Sequence, residues 1–193
     1  MPWQKNFDVD EALERAGLTF WEKGYTATSM RDLLEAMGIQ KGSFYDTYGS
    51  KHEAYLDALR SYVDTRFDAF EAEIEGLPPL PALRRLFDVI LTEALGPDGH
   101  RGCMVINGAL EMAPHDEATR DVIREATSRH ERLHVRLIRE GQAAGDIDAD
   151  LDALATGKAM LGLVMGLRVY GRSGAPKATL RSLAESALAL VGA

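Results

Sequence analysis

The feature that most constrains this chain is the helical spacing of its apolar residues, which continues from near one end to the other. In the first segment Ala12, Ala16 and Phe20 recur every four residues, which places them on one face of an α-helix. No segment shows convincingly the alternation of apolar and polar residues that is typical of a half-buried β-strand. The sequence therefore predicts an all-α fold.

Glycines divide this pattern into separate helices. Gly24, Gly38 and Gly49 each follow a short apolar-periodic segment, as is typical of residues that end helices. Ser29 stands three residues before Asp32, and this spacing predicts a capping box at the start of a helix. The pattern as a whole predicts helices over about 8–23, 29–37, 40–48, 50–75, 82–95, 103–112, 116–144, 148–170 and 176–191.

Composition excludes several classes of protein. The 193 residues contain one cysteine, which excludes a disulfide scaffold and a cysteine-rich zinc module. No run of roughly 18 apolar residues is present, so no membrane-spanning helix is expected. The first residues lack the apolar stretch of a signal peptide, and a cytoplasmic protein is therefore expected. A net charge of −8 argues against a general polyanion binder, although a small basic face could still bind nucleic acid.

Two short predicted helices flank the turn 37–40, and this arrangement is typical of a helix-turn-helix. The second helix of such a motif lies in the major groove of DNA, and here it carries polar side chains that can bond phosphates and base edges. Helix pairs joined by glycine also occur in helical proteins that never bind DNA. The charges of residues 1–51, six basic against eight acidic, give DNA binding no support.

The residues of this region resemble a known family. The run Phe20–Leu33, followed by Met37–Tyr45 and Tyr48–Lys51, is similar in spacing and residue type to the DNA-binding domain of the TetR family of bacterial transcriptional regulators. The resemblance covers roughly residues 8–56. The rest of the chain matches the family only in length and in its helical pattern.

The resemblance implies a helix-turn-helix DNA-binding domain over 1–51 and a ligand-binding and dimerisation domain over 52–193. It implies a DNA-binding transcriptional regulator, usually a repressor, that a small-molecule effector releases from its double-stranded DNA operator. Many family members have a basic arm before the first helix, but here only Lys5 stands there. The family's DNA contacts correspond to Thr28, Arg31, Gln40, Lys41, Gly42, Ser43, Tyr45, Tyr48 and Lys51.

The last two predicted helices are candidates for a homodimer interface. The helix 148–170 is apolar almost all round, so several of its sides must be covered. Gly162 and Gly166 are spaced by four residues, as is common where helices approach closely. With the helix 176–191 it would form a four-helix interface with a second copy, as the family resemblance implies. Alternatively, both helices fill the core of a monomer.

An effector pocket is expected among residues on the inward stripes of the second domain. Polar groups on such stripes mark a pocket better than methionines and aromatic rings, which usually only pack. Cys103 lies at the start of a predicted helix and follows basic residues, so its thiol is either a reactive sensor or a small packing group. The candidates are Phe87, Leu91, Cys103, Met104, Asn107, Glu111, His130, His134, Met160 and Val164.

The run 130–134, His-Glu-Arg-Leu-His, matches the H-E-x-x-H motif of zinc metalloproteases. Its spacing places both imidazoles on one helix face, so a zinc-dependent hydrolase is the alternative function. The chain shows no strand to hold a substrate and no third metal ligand at a recognisable spacing. We therefore expect no catalytic residue, no bound metal and no cofactor.

Overall fold

The computed structural model describes residues 7–192, and these residues form nine α-helices and one 3-10 helix but no β-strand. This confirms the all-α prediction. Lys5 lies outside the described residues. We number the helices in chain order as α1 Val9–Lys23, α2 Met30–Met37, α3 Lys41–Tyr48, α4 Lys51–Ile74, α5 Pro79–Leu95, α6 Met104–Glu111, α7 Glu117–Ala144, α8 Ala153–Arg172 and α9 Lys177–Ala189, with the 3-10 helix Pro97–Arg101 between α5 and α6.

The helix ends follow from local chemistry. Ser29 and Asp32 form the predicted capping box, in which the Ser29 side chain accepts from the Asp32 N–H and the Asp32 side chain accepts from the Ser29 N–H. Helix α5 begins before residue 82 because proline is well suited to the first turn of a helix. Helix α8 begins later than predicted because Asp152 caps it, accepting from the N–H groups of Leu154 and Ala155.

The chain divides into two compact units. The first unit holds the chain up to Thr65 together with Asn107–Ile123, and the second holds Arg66–Ile106 together with the chain from Arg124 onward. The predicted boundary after residue 51 marks the first residue of α4, whereas the compact units divide inside that helix. The three helices α4, α6 and α7 each pass from one unit into the other.

Each unit has its own apolar core. In the first unit Leu33, Phe44 and Leu59 are fully buried, and the ring of Phe20 lies edge-on to that of Tyr55 at 5.2 Å between centroids. In the second unit the core is built from α5, α7, α8 and α9. Its fully buried side chains are Leu83, Phe87, Ile138, Met160, Leu167 and Leu180. None of the described helices has the length and hydropathy needed to cross a bilayer.

Candidate nucleic-acid interface and effector site

Helices α2 and α3 form a compact helix pair. Gly38 ends α2 in the left-handed conformation, with φ at 68°, and its N–H donates to the Leu34 carbonyl. Met37, Ile39 and Phe44 are buried on either side of this turn and fix α3 against the rest of the first unit. The chain therefore has the helix-turn-helix that the glycine spacing predicts.

The outward face of α3 is polar and exposed. Gln40, Lys41 and Tyr45 are exposed and Ser43 is half-buried. Nothing lies within 4 Å of a Cβ built at Gly42, so this stretch of backbone is open to an approaching molecule. These side chains offer an ammonium, an amide and two hydroxyls, which are the groups that bond phosphates and base edges in protein–DNA complexes.

Lys51, at the first residue of α4, is already engaged within the unit. Its Nζ donates to the Tyr25 carbonyl at 2.6 Å and lies 4.2 Å from the centre of the Tyr25 ring. Partial burial lowers the pKa of Lys51, although the nearby Glu111 and Asp32 carboxylates oppose this. An ammonium has three donors, so this bond is compatible with a phosphate contact. Arg31, on α2, is exposed.

Two of the predicted DNA contacts have other roles in the structure. Thr28 is 1% exposed and its hydroxyl donates to the Gly24 carbonyl at 2.6 Å. Tyr48 is 6% exposed and its hydroxyl donates to the Val9 carbonyl at 2.8 Å. Both hydroxyls stabilise the first unit, so we remove these two residues from the list of contacts.

The predicted effector residues fall in both compact units. Asn107 and Glu111 belong to the first unit, and the other candidates belong to the second. The Glu111 carboxylate accepts hydrogen bonds from the N–H groups of Tyr25 and Thr26 at 3.0 and 2.7 Å. It is thus occupied by backbone of the first unit, and this replaces the prediction that it contacts effector. The second-unit candidates are Phe87, Leu91, Cys103, Met104, His130, His134, Met160 and Val164.

His134, on α7, is the most unusual polar side chain of the second unit. It is 2% exposed, and neither ring nitrogen has a partner at hydrogen-bonding geometry. The ring of Phe87 lies 6.2 Å from it, centre to centre. Burial lowers the pKa of His134 to about 4, and the His130 backbone offsets only part of this decrease. The imidazole is therefore neutral at pH 7.

His130 lies one turn earlier on α7, between two aromatic rings. The rings of Phe67 and Phe70 are each 5.6 Å from it. Burial, followed by repulsion from the nearby arginines, of which Arg168 contributes most, lowers the pKa of His130 to about 4. Arg168 itself is only 10% exposed and forms an ion pair with Glu93. This region therefore combines aromatic surface with two neutral imidazoles.

Among residues 7–192 no group of three or more histidine, cysteine or acidic side chains is arranged to hold a metal ion. His130 and His134 face aromatic rings of the second unit. Cys103 is half-buried and directly precedes α6, which begins one residue later than predicted.

The fold, with a helix-turn-helix in one unit and a second, larger helical unit, defines a class of helix-turn-helix regulators. The model for "Bacterial regulatory proteins, tetR family" matches residues 13–56. The model for "Tetracyclin repressor-like, C-terminal domain" matches residues 79–183, more than half of the chain. The chain belongs to the TetR family of bacterial transcriptional regulators.

Curated relatives agree with this assignment. The HTH-type transcriptional regulator YezE of Bacillus subtilis is 35% identical over 156 residues, covering 78% of this chain and 80% of YezE. The HTH-type transcriptional repressor ComR of Escherichia coli is 28% identical over 188 residues, covering 96% of this chain and 90% of ComR. These relatives are regulators and give no support to the zinc hydrolase that the H-E-x-x-H motif suggests.

A solved structure has the same architecture. A cysteine-substituted variant of the TetR-family regulator CifR, in complex with a 26-bp double-stranded operator DNA, superposes with a TM-score of 0.86 at 30% identity. The match covers 97% of this chain and 98% of the CifR chain. The similarity therefore extends through both units.

Proposed function

We propose that the protein is a transcriptional repressor that binds operator DNA as a homodimer and is released by a small-molecule effector. The exposed polar face of α3, held outward by the buried Phe44 and Tyr48, carries this proposal. The naming of ComR as a repressor and the operator complex of CifR support it. Because operator DNA of bacteria lies in the cytoplasm, we propose that the protein acts there.

The proposed DNA contacts are exposed or half-buried residues of the helix-turn-helix, together with the first residue of α4. Helix α3 enters the major groove, where Gln40 and Tyr45 reach base edges and Lys41 reaches a phosphate. A dimer presents two such helices to half-sites about 34 Å apart, or a multiple of that distance. The full proposed set is Arg31, Gln40, Lys41, Gly42, Ser43, Tyr45 and Lys51.

The proposed dimer interface consists of α8 and α9. Leu154, Val169 and Tyr170 on α8 are apolar side chains that are 45%, 46% and 49% exposed, and Leu190 after α9 is 39% exposed. These side chains lie on two helices that pack against each other, and we take them as parts of one interaction surface. A second copy of the same surface would bury them by two-fold symmetry.

The proposed effector site lies in the second unit near His134. A buried imidazole without a hydrogen-bond partner is costly, and a polar effector group would satisfy it. Phe87 and Met160, both fully buried, supply apolar surface nearby in the same core. The effector releases the protein from DNA if it binds more tightly to a state of the dimer in which the spacing of the two helix-turn-helix motifs no longer matches the operator half-sites.

Replacing Tyr45 by alanine tests the proposal. We expect a loss of at least about tenfold in affinity for an operator selected by the wild-type protein from random duplexes, because a base-edge contact is removed. Affinity for random DNA should change little. Leu110→Ala, which removes an apolar side chain that is 73% exposed outside the motif, is the control. Failure of the wild-type protein to select any duplex would reject the proposed function.

Replacing Lys51 by alanine should weaken binding to every duplex and lower the salt dependence by about one phosphate contact. The expected loss includes some loosening of the backbone at Tyr25, whose carbonyl Lys51 also binds. Arg139→Ala on α7, which removes an exposed basic side chain of the second unit outside α8 and α9, is the control and should leave the salt slope unchanged. If the salt dependence of DNA binding is the same for Lys51→Ala and the wild type, Lys51 does not contact a phosphate.

A further inference from the structure

A carboxylate near the end of the chain's sixth helix is bonded to backbone just ahead of the helix-turn-helix. The Glu111 carboxylate accepts hydrogen bonds from the N–H groups of Tyr25 and Thr26, which lie in the turn 24–28 between α1 and α2. Gly24, with φ at 83°, leaves room for this contact, since a Cβ there would lie 2.8 Å from Glu111 Oε2. The carboxylate thus lies directly against the backbone of the turn.

The same turn is bonded from a second side. Lys51 donates to the carbonyl of Tyr25, whose N–H donates to Glu111, so both backbone polar groups of Tyr25 are held by charged side chains. The Tyr25 ring packs edge-on to Tyr55 at 5.0 Å. The turn is therefore positioned by α4 and α6 together.

The segment that carries Glu111 is itself packed against α4. A Cβ built at Gly108 would lie 2.6 Å from the hydroxyl oxygen of Tyr55, so α6 packs closely against the Tyr55 side chain at this position. After α6, the Asp116 carboxylate lies 3.0 Å from Nε2 of His52 and accepts the Thr119 N–H at 2.8 Å. Two acids of the segment 107–123 thus face the first turns of α4 and the backbone ahead of α2.

The Glu111 carboxylate that bonds the turn stays ionised. Burial alone would raise the pKa of Glu111, but the hydrogen bonds from Thr26 and Tyr25 and the Lys51 ammonium outweigh it and hold the pKa below its usual value. Hydrogen bonds to an ionised acceptor are stronger than those between neutral groups. The contact therefore persists at neutral pH.

We propose that Glu111 is a positioning residue for operator binding, whose carboxylate holds the turn ahead of α2 and so fixes where the helix-turn-helix lies relative to Lys51. The inference rests on the proposed function. Glu111 touches no DNA in this scheme and acts through the backbone of Tyr25 and Thr26. Nothing in the local sequence around position 111 signals this role, because its partners lie 85 and 86 residues earlier.

The sign of the effect separates this role from simple electrostatics. A carboxylate on a DNA-binding unit repels phosphates, so its removal should strengthen DNA binding if charge alone matters. A positioning role predicts the opposite. We expect Glu111→Ala to bind the selected operator about tenfold more weakly, which corresponds to about 1.4 kcal/mol. The salt slope should not decrease, because no phosphate contact is lost.

The experiment compares three variants on that operator by salt titration, with hydrogen exchange measured at the amides of residues 25 and 26. Glu111→Ala should exchange faster at these amides, and Glu111→Gln, which keeps one acceptor oxygen, should lie between it and the wild type in both measurements. Glu14→Ala removes an exposed acid of α1 and is the matched control, expected to bind equally or more tightly. Thermal unfolding identifies any variant that fails to fold, and Glu111→Gln then carries the test.

The possible results distinguish the positioning role of Glu111 from the proposed operator binding on which it depends. If the wild-type protein selects an operator but Glu111→Ala binds it equally or more tightly, or keeps its amide protection, the positioning role is overturned and DNA binding stands. If the wild-type protein selects no operator, both are overturned.

Discussion

The free energy of unfolding should decrease by several kcal/mol as the pH is lowered from 7 to 4. His130 and His134 have pKa values of about 4 in the folded protein, against an ordinary value of 6.5. Below pH 6.5 the unfolded chain therefore binds protons that the folded protein does not, and stability falls until the pH reaches the folded pKa values. Each group contributes up to about 3 kcal/mol at pH 4, at about 1.4 kcal/mol per pKa unit.

Urea titrations at half-unit steps of pH test this expectation, and the range from 6.5 to 4.5 lies above most carboxylate titration. His134→Leu should remove about half of the pH dependence. At pH 7 it should leave stability unchanged or higher, because it removes an imidazole that lacks a partner. Thr156→Val, at a buried polar residue that does not titrate, is the control and should shift the curve without changing its slope. A flat curve between pH 7 and 4.5 would contradict the assignment of neutral, buried imidazoles.

Replacing Gly162 by leucine should raise the dissociation constant of the dimer by about a hundredfold or more while leaving each subunit folded. Gly162 is exposed on α8 and a Cβ built there meets no atom within 4 Å inside the subunit, so we expect the added leucine to clash with the partner. An overpacked contact of this kind costs about 1–3 kcal/mol, and a two-fold axis applies it twice. Operator affinity should fall with the dimer, because the two half-sites are then bound independently.

Sedimentation velocity at micromolar concentration measures this effect, with a dimer expected for the wild type. Gly157→Leu on the same helix is the informative contrast, since a Cβ there would lie 2.6 Å from Cγ2 of Val135 within the subunit. It should lower the thermal unfolding temperature, whereas Gly162→Leu should not. A Gly162→Leu protein that remains dimeric would place the interface elsewhere on the surface.

The features that could be predicted from the sequence depend on residues close together in the chain. The Ser29–Asp32 capping box and the left-handed Gly38 depend on residues within a few positions of each other, and both are present as predicted. The family resemblance is likewise carried by short runs around the turn, and it is confirmed.

Local signals could not distinguish hydroxyls that reach outward from hydroxyls that bond the protein's own backbone. Thr28 and Tyr48 have the same donors as Ser43 and Tyr45, and only packing shows that their donors are used inside the first unit. The role of Glu111 depends on a contact between residues far apart in the chain, which no pattern of spacing records.

The division of the chain has a consequence for protein engineering. Because Asn107–Ile123 belongs to the same compact unit as the N-terminal helices, the DNA-binding part of this protein is not one continuous stretch of sequence. A chimaera that joins residues 1–51 to the second domain of another regulator would exchange the helix-turn-helix but leave behind Glu111, whose carboxylate accepts hydrogen bonds from the turn ahead of α2. Grafting a new DNA specificity onto this scaffold therefore requires that the insert of residues 107–123 be transplanted with it, or that only the exposed face of α3 be changed.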